Sequence, residues 1–188
     1  MVVFIVGLAL FFVPHILPVL VPGLKQTITT KIGADKWKGL FSILSLAGLV
    51  LIILGWRQYR DLAPQVYDPP SWGRHAAFLL VWIALILLSV PRSKPGKILS
   101  AVKHPMVIGV IYWSLAHLLA NGDLASVMLF GLMLVFAMIS RVSEFMKGDP
   151  APKFVSYRSD VKAIGIGTAI YLVILFFGHV WLAGVILL

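Results

Sequence analysis

The chain has no cysteine and few charged residues: 12% of its 188 positions are charged, and glutamate occurs once. The absence of cysteine excludes disulfides, thiolate metal sites, iron–sulfur clusters and cysteine nucleophiles. Soluble domains carry about 25% charged residues, so the low charge excludes an ordinary water-soluble fold. Any cofactor chemistry therefore depends on histidine, carboxylate or backbone groups.

Hydrophobic residues make up 60% of the sequence. A membrane-spanning helix needs about 20 mainly apolar residues, and six apolar runs can be drawn on that basis, the third and fourth of them short. The runs cover residues 2–21, 39–56, 76–90, 105–120, 124–139 and 163–188. We predict an all-α, polytopic integral membrane bundle of about six transmembrane helices, with residues 1–188 as one domain. The two short runs are expected to extend into their flanks, to tilt, or to form a hairpin.

The basic residues give the chain a formal charge of +9, with 16 Lys and Arg against 7 Asp and Glu. Thirteen of the 16 lie in the loops after the first, third and fifth runs. Lys and Arg concentrate on the cytoplasmic side of membrane proteins, so both termini are predicted to be periplasmic in a bacterial inner membrane. The charge is thus assigned to loops facing the lipid bilayer, and no nucleic-acid partner is expected.

Three histidines, His15, His117 and His179, fall inside apolar runs, whereas His75 and His104 stand where helices begin. Ionisable groups inside a membrane are costly and are therefore functional candidates. Two neutral imidazoles from different helices are a common way to hold haem iron in a membrane bundle. Among these histidines, His15 and His117 are accordingly predicted to be metal ligands or proton-transfer groups.

A haem ligand also needs an acceptor at Nδ1 that fixes its tautomer. A carbonyl freed near Pro14 is expected to serve His15, and Ser114 is expected to serve His117. Depth in the membrane favours a different pair, His15 and His104. At a rise of about 1.5 Å per residue, His15 lies about 20 Å and His104 about 24 Å from the outer end of its helix. His117 lies only about 6 Å from that end. The second ligand therefore stays open at this point between His117 and His104.

Several segments resemble the NnrU family of bacterial membrane proteins, over nearly the whole chain. The first helix reads Phe-Val-Pro-His-Ile-Leu-Pro, and the most specific part is a Lys-His-Pro step followed later by Ala-His-Leu-Leu-Ala-Asn-Gly-Asp. The matching segments are residues 12–18, 31–33, 37–48, 103–109 and 116–123. The family is associated by name with denitrification and nitric oxide metabolism, and it is similar to the plant zeta-carotene isomerase.

That resemblance implies a haem b held by two histidines and, as in the isomerase, rotation of a cis double bond in a polyene. Carried over by position, the ligands are His15 and His117, with His104 in reserve. The reactant is expected to be a hydrophobic small molecule or nitric oxide. This chain lacks the further histidines that the isomerase carries on the segment matching the fifth helix, which leaves the substrate open.

Two alternatives come from different classes. The His-Pro step also resembles membrane methyltransferases that use S-adenosylmethionine, in which case His104 and Glu144 would carry the function. Those enzymes usually have paired glutamates after the next helix, and only one is present here. The other alternative is a non-catalytic membrane assembly factor for a denitrification enzyme, which would be indifferent to all five histidines.

Overall fold

The computed structural model describes residues 1–21, 23–148, 150–185 and 187. Over those residues the chain forms nine α-helices and no strand, which confirms the all-α prediction. The helices group into two compact units, Met1–Ala63 and Pro64–Leu188. That residues 1–188 form one NnrU-like domain stays a prediction.

The first unit is a pair of long apolar helices joined through a short polar one. Its helices are α1 (Val2–Leu20), α2 (Leu24–Ile32) and α3 (Ala34–Tyr59), followed by a single 3₁₀ turn at Arg60–Leu62. Helix α1 continues through Pro14 and Pro18, although each proline removes one backbone donor. Its buried face consists of Phe4, Gly7, Leu8 and Phe12.

Glycines let α1 and α3 pack unusually close together. A Cβ added at Gly48 would lie 2.7 Å from the backbone nitrogen of Phe11, and one at Gly7 would lie 2.6 Å from the backbone nitrogen of Ile52. Gly55 is equally tight against the backbone of Phe4. Residues late in α3 thus meet residues early in α1, so the two helices run antiparallel. In lipid no hydrophobic effect drives helices together, so they associate by close packing, which small residues at the contact allow.

The second unit is built around α6, which packs against both α4 and α7, while α8 packs against α4. Its elements are α4 (Gly73–Leu88), α5 (Lys97–Val102), α6 (Pro105–Ala120), α7 (Leu124–Met146), α8 (Arg158–Val173), a π-helical segment (Ile174–Gly178) and α9 (His179–Ala183). Asp123 caps α7, because its carboxylate accepts a hydrogen bond from the Ser126 backbone at 2.9 Å.

Each of the six predicted apolar runs is helical over most of its described residues. The non-helical positions lie at the ends of the first, third and last runs, and Ile186 and Leu188 of the last run lie outside the described residues. Four stretches are long and apolar enough to cross a membrane: Val2–Leu20, Ala34–Leu62, Leu124–Met146 and Arg158–Ala183. Helices α4 and α6 have 16 residues each. That is about 24 Å of helix against a hydrocarbon core of about 30 Å. The two pack as an antiparallel hairpin, with Gly73 against Leu119 and Gly109 against Ala84.

The spanning helices leave most of their apolar surface uncovered by protein. Only 22% of the apolar window of α1 is buried, and only 11% of that in Arg158–Ala183. Contiguous apolar surface on this scale is unstable in water and is matched by lipid acyl chains. The architecture is that of an integral membrane protein.

Candidate functional site

His15 lies in the second half of α1, half-buried and directly after Pro14. Its Nδ1 is 2.6 Å from the carbonyl oxygen of Phe11, one turn earlier. The imidazole stacks on the Phe11 ring at a centroid distance of 4.4 Å, and the ring of Phe41 in α3 is 4.7 Å away. Two aromatic rings and one backbone carbonyl therefore fix the orientation of the imidazole within the first unit.

His117 has the same kind of environment in the second unit. It lies in the last turn of α6, half-buried, with its Nδ1 2.8 Å from the carbonyl oxygen of Trp113. Its imidazole stacks on Phe130 of α7 at 4.3 Å and 25°, and the indole of Trp113 is 4.7 Å away. Each histidine thus follows an aromatic residue by four positions, hydrogen bonds to that residue's carbonyl, and contacts an aromatic ring of a second helix.

The hydrogen bond at Nδ1 determines which nitrogen of each ring can coordinate a metal. A carbonyl oxygen only accepts hydrogen bonds, so Nδ1 of His15 and of His117 must donate. A neutral imidazole protonated at Nδ1 presents its lone pair at Nε2, which is the form that ligates iron. The donor chemistry of both residues fits haem ligation.

The acceptors differ from those predicted. Pro14 frees the carbonyl of Leu10, but His15 uses the carbonyl of Phe11, which the helix geometry presents to a side chain four residues later. The hydroxyl of Ser114 donates to the carbonyl of Val110 at 2.8 Å and is not the partner of His117. Both assignments from the sequence were wrong, because the carbonyl at position i−4 is the nearer acceptor in each helix.

The other two histidines at helix starts are placed differently. His104 is the N-cap of α6, and its backbone amide donates to Val102 at 2.7 Å after the unusual positive φ of Lys103. Thirteen residues of helix separate it from His117, a rise of about 20 Å, so they cannot bind one iron from α6. His75 is exposed in the first turn of α4.

His179, the third histidine inside a predicted apolar run, makes its hydrogen bond to a residue that follows it in the chain. It begins α9 directly after the π-helical segment, and its Nδ1 is 3.0 Å from the carbonyl oxygen of Val185. The chain beyond it turns back, and the guanidinium of Arg74 donates to the carbonyl of Leu187. Gly178 and Gly184 flank α9, and Gly184 ends the helix with a positive φ.

A polar clamp holds the end of α6 that carries His117. We define the Tyr67 clamp as the segment 64–67 together with the 118–124 turn. The Tyr67 hydroxyl contacts the carbonyls of Leu118 and, at 2.8 Å, Asn121. The backbone of Val66 donates to Gly122 at 2.8 Å. Burial, and then the nearby Asp123 carboxylate, raise the pKa of Tyr67, which keeps its hydroxyl a donor.

Glu144, which the methyltransferase alternative requires, lies in the last turn of α7 and pairs at 3.0 Å with Lys147, the C-cap of that helix. An ion pair one turn apart at a helix end is an ordinary structural feature.

Comparison with known proteins identifies the family. The sequence matches the family model described as NnrU protein over residues 3–187. No curated protein and no solved structure matches the chain. Since the match covers nearly every residue, including both aromatic-supported histidines, the chain belongs to the NnrU family.

Proposed function

We propose that this NnrU-family chain is an integral membrane protein that binds haem b through Nε2 of His15 and Nε2 of His117. The observation that carries the proposal is the Nδ1–carbonyl hydrogen bond found at both residues, at 2.6 Å and 2.8 Å. Each bond selects the tautomer that coordinates iron, and each ring is held by aromatic neighbours before any ligand arrives. Intramembrane histidines prepared in this way are expected to be functional.

The chain's own residues would orient the two imidazoles and exclude water from them. The rings of Phe41 and Phe11 contact His15, and the rings of Phe130 and Trp113 contact His117. When bound, haem b supplies an iron that binds small ligands such as nitric oxide and changes oxidation state. The proposed reactant is either nitric oxide, in keeping with the family's association with denitrification, or a hydrophobic polyene that undergoes cis–trans isomerisation.

The proposed orientation places both termini in the periplasm of a bacterial inner membrane. Within the second unit, the basic loops 90–104 and 147–157 meet at one end, where the backbone of Val155 donates to Pro95 at 2.7 Å. Eight Lys and Arg lie in residues 90–104 and 147–162. Their common location supports that end as the cytoplasmic one.

Absorption spectroscopy of the full chain, purified in mild detergent after haem supplementation, tests the proposal. We expect a Soret band and a pyridine haemochrome spectrum of haem b. His15→Ala and His117→Ala are each expected to change the band, whereas the exposed His75→Ala is the matched control and should leave it unchanged.

The spectra also discriminate among ligand sets. No Soret band, or an unchanged band in both His15→Ala and His117→Ala, would overturn the proposal. His104→Ala and His179→Ala are measured in parallel. If either variant changes the Soret band while His15→Ala or His117→Ala leaves it unchanged, the proposed pair of ligands is wrong.

A further inference from the structure

Two loops of the second unit that are rich in Lys and Arg lie at the end of α6 opposite His117. Residues 90–104 and 147–162 contain eight Lys and Arg and two Asp, a formal charge of +6. The first segment connects α4 to α6, and the second connects α7 to α8. Basic loops in membrane proteins commonly set only the topology, and for that purpose they need no fixed structure.

These two loops, however, are joined by hydrogen bonds, most of which are made by backbone groups and one carboxylate rather than by the basic side chains. The carboxylate of Asp160 accepts from the backbone amides of Lys97 at 2.7 Å and Ile98 at 3.1 Å. The carbonyl of Pro95 accepts from the backbone of Val155 at 2.7 Å. The Ser159 hydroxyl, in a side chain that is almost fully buried, donates to the carbonyl of Lys94.

The fit around Asp160 is tight. Gly96 lies against the carboxylate so closely that an added Cβ would overlap it. The carboxylate also supplies α5 with the N-terminal acceptor that its own N-cap, Gly96, lacks. We call this structure the basic platform, defined as residues 92–98 and 153–160. Hydrogen bonds between its two segments hold its backbone together without any bound partner.

The exposed side chains of the basic platform include both basic and aromatic groups. Lys94, Lys97 and Arg158 are exposed. Phe154 is 39% exposed and Tyr157 is 62% exposed, and the Lys97 ammonium lies 5.0 Å above the Phe154 ring. Aromatic rings at the level of the lipid headgroups, with ammonium and guanidinium groups beside them, are the combination that suits the boundary between acyl chains and phosphates.

We propose that the basic platform is a binding site for the phosphate of an anionic phospholipid headgroup. Charge complementarity selects the partner, and the exposed rings of Phe154 and Tyr157 favour a lipid over a soluble anion. The site depends on the ties made by Asp160 and Ser159 as much as on its charge, because those ties fix the distances between the basic groups. This inference is independent of haem binding.

Native mass spectrometry of the full chain in detergent, titrated with phosphatidylglycerol or phosphatidylcholine, tests the proposal. We expect saturable, tighter binding of phosphatidylglycerol, weakened about five-fold by Lys97→Gln, as for the loss of one basic group at an anionic surface. The informative variant is Asp160→Ala. This variant makes the chain more positive. If binding depends only on total charge, phosphatidylglycerol should bind more tightly; if it depends on the hydrogen-bonded structure of the basic platform, phosphatidylglycerol should bind more weakly.

Asp68→Ala is the matched control, since Asp68 is exposed in the same unit, outside the basic platform, and its removal changes the charge equally. It should leave phosphatidylglycerol binding unchanged. If Asp160→Ala does not fold, as judged by thermal unfolding, Ser159→Ala replaces it; that change breaks one tie, leaves the charge constant, and is also expected to weaken binding.

Three outcomes would overturn the proposal. The first is equal affinity for phosphatidylglycerol and phosphatidylcholine. The second is that phosphatidylglycerol binds the folded variant Asp160→Ala, or Ser159→Ala in its place, as tightly as it binds Asp68→Ala. The third is displacement of phosphatidylglycerol by an equimolar amount of inorganic phosphate, which would show a soluble-anion site.

Discussion

The imidazole of His117 stacks on the ring of Phe130 at 4.3 Å and 25°. The two residues belong to neighbouring helices, α6 and α7, and Phe130 is only 4% exposed. The ring orientation of His117 is therefore set by a contact between helices as well as by its hydrogen bond to Trp113. A ligand held in this way loses little entropy when it binds a metal.

Phe130→Leu is expected to weaken haem binding without abolishing it. An aromatic pair contributes about 0.5–1.5 kcal/mol beyond the area it buries, so the affinity should fall by about 2- to 10-fold. A haem titration followed at the Soret band measures this. Phe145→Leu, at a position 76% exposed in the same helix, is the matched control. Equal effects of the two variants would contradict a role for the stacked pair.

The glycine contacts between α1 and α3 predict opposite outcomes for the same substitution in one helix. Gly48→Ala would bring a Cβ to 2.7 Å from the Phe11 backbone, and overpacking of this kind costs about 1–3 kcal/mol. Gly39→Ala, with nothing within 4 Å, should be neutral or stabilise by up to about 1 kcal/mol. Thermal unfolding in detergent distinguishes them. A loss of stability in Gly39→Ala as large as that in Gly48→Ala would argue against the close packing.

The Tyr67 clamp predicts a dependence of stability on alkaline pH. Burial and Asp123 raise the pKa of Tyr67 above 10.0, so the folded state favours the neutral phenol. That contribution is complete below the pKa of the unfolded chain, about 10, and is lost as the pH rises through the folded value. Tyr67→Phe should cost about 0.5–1.5 kcal/mol at pH 8, as for one hydrogen bond.

The measurement is the difference in unfolding temperature between the parent and Tyr67→Phe from pH 8 to pH 11. The difference should shrink above pH 10. A difference that stays constant across this range would mean that the hydroxyl does not hold the end of α6.

Hydropathy was sufficient to predict the all-α class and the six apolar helical stretches. The runs 105–120 and 124–139 start where α6 and α7 start, because His104-Pro105 and Asp123 are strong helix-start signals. The third predicted segment was shifted towards the C-terminus, because Gly73 and Arg74 read as loop residues, whereas α4 begins there and Gly73 packs against Leu119. Contacts of that kind are tertiary and have no local pattern in the sequence.

The site was predicted in part. Intramembrane histidines are rare enough for His15 and His117 to stand out, yet their hydrogen-bond acceptors were assigned wrongly. The environment of His179 depends on a π-helical segment before it and on a turn of the chain beyond it. The basic platform depends on hydrogen bonds between segments about 60 residues apart, such as that between Asp160 and Lys97. Neither feature has a periodic signature.

The central claim is that His15 and His117 ligate the haem iron. The most direct test replaces each histidine by glycine and adds free imidazole to take the place of the missing side chain. The electron paramagnetic resonance spectrum of the ferric, haem-loaded full chain is the measurement, for the parent, His15→Gly and His117→Gly. We predict a low-spin signal in the parent, a high-spin signal in each variant, and return of the low-spin signal when imidazole is added. A low-spin signal that persists in His117→Gly or in His15→Gly without imidazole would contradict ligation by these two histidines.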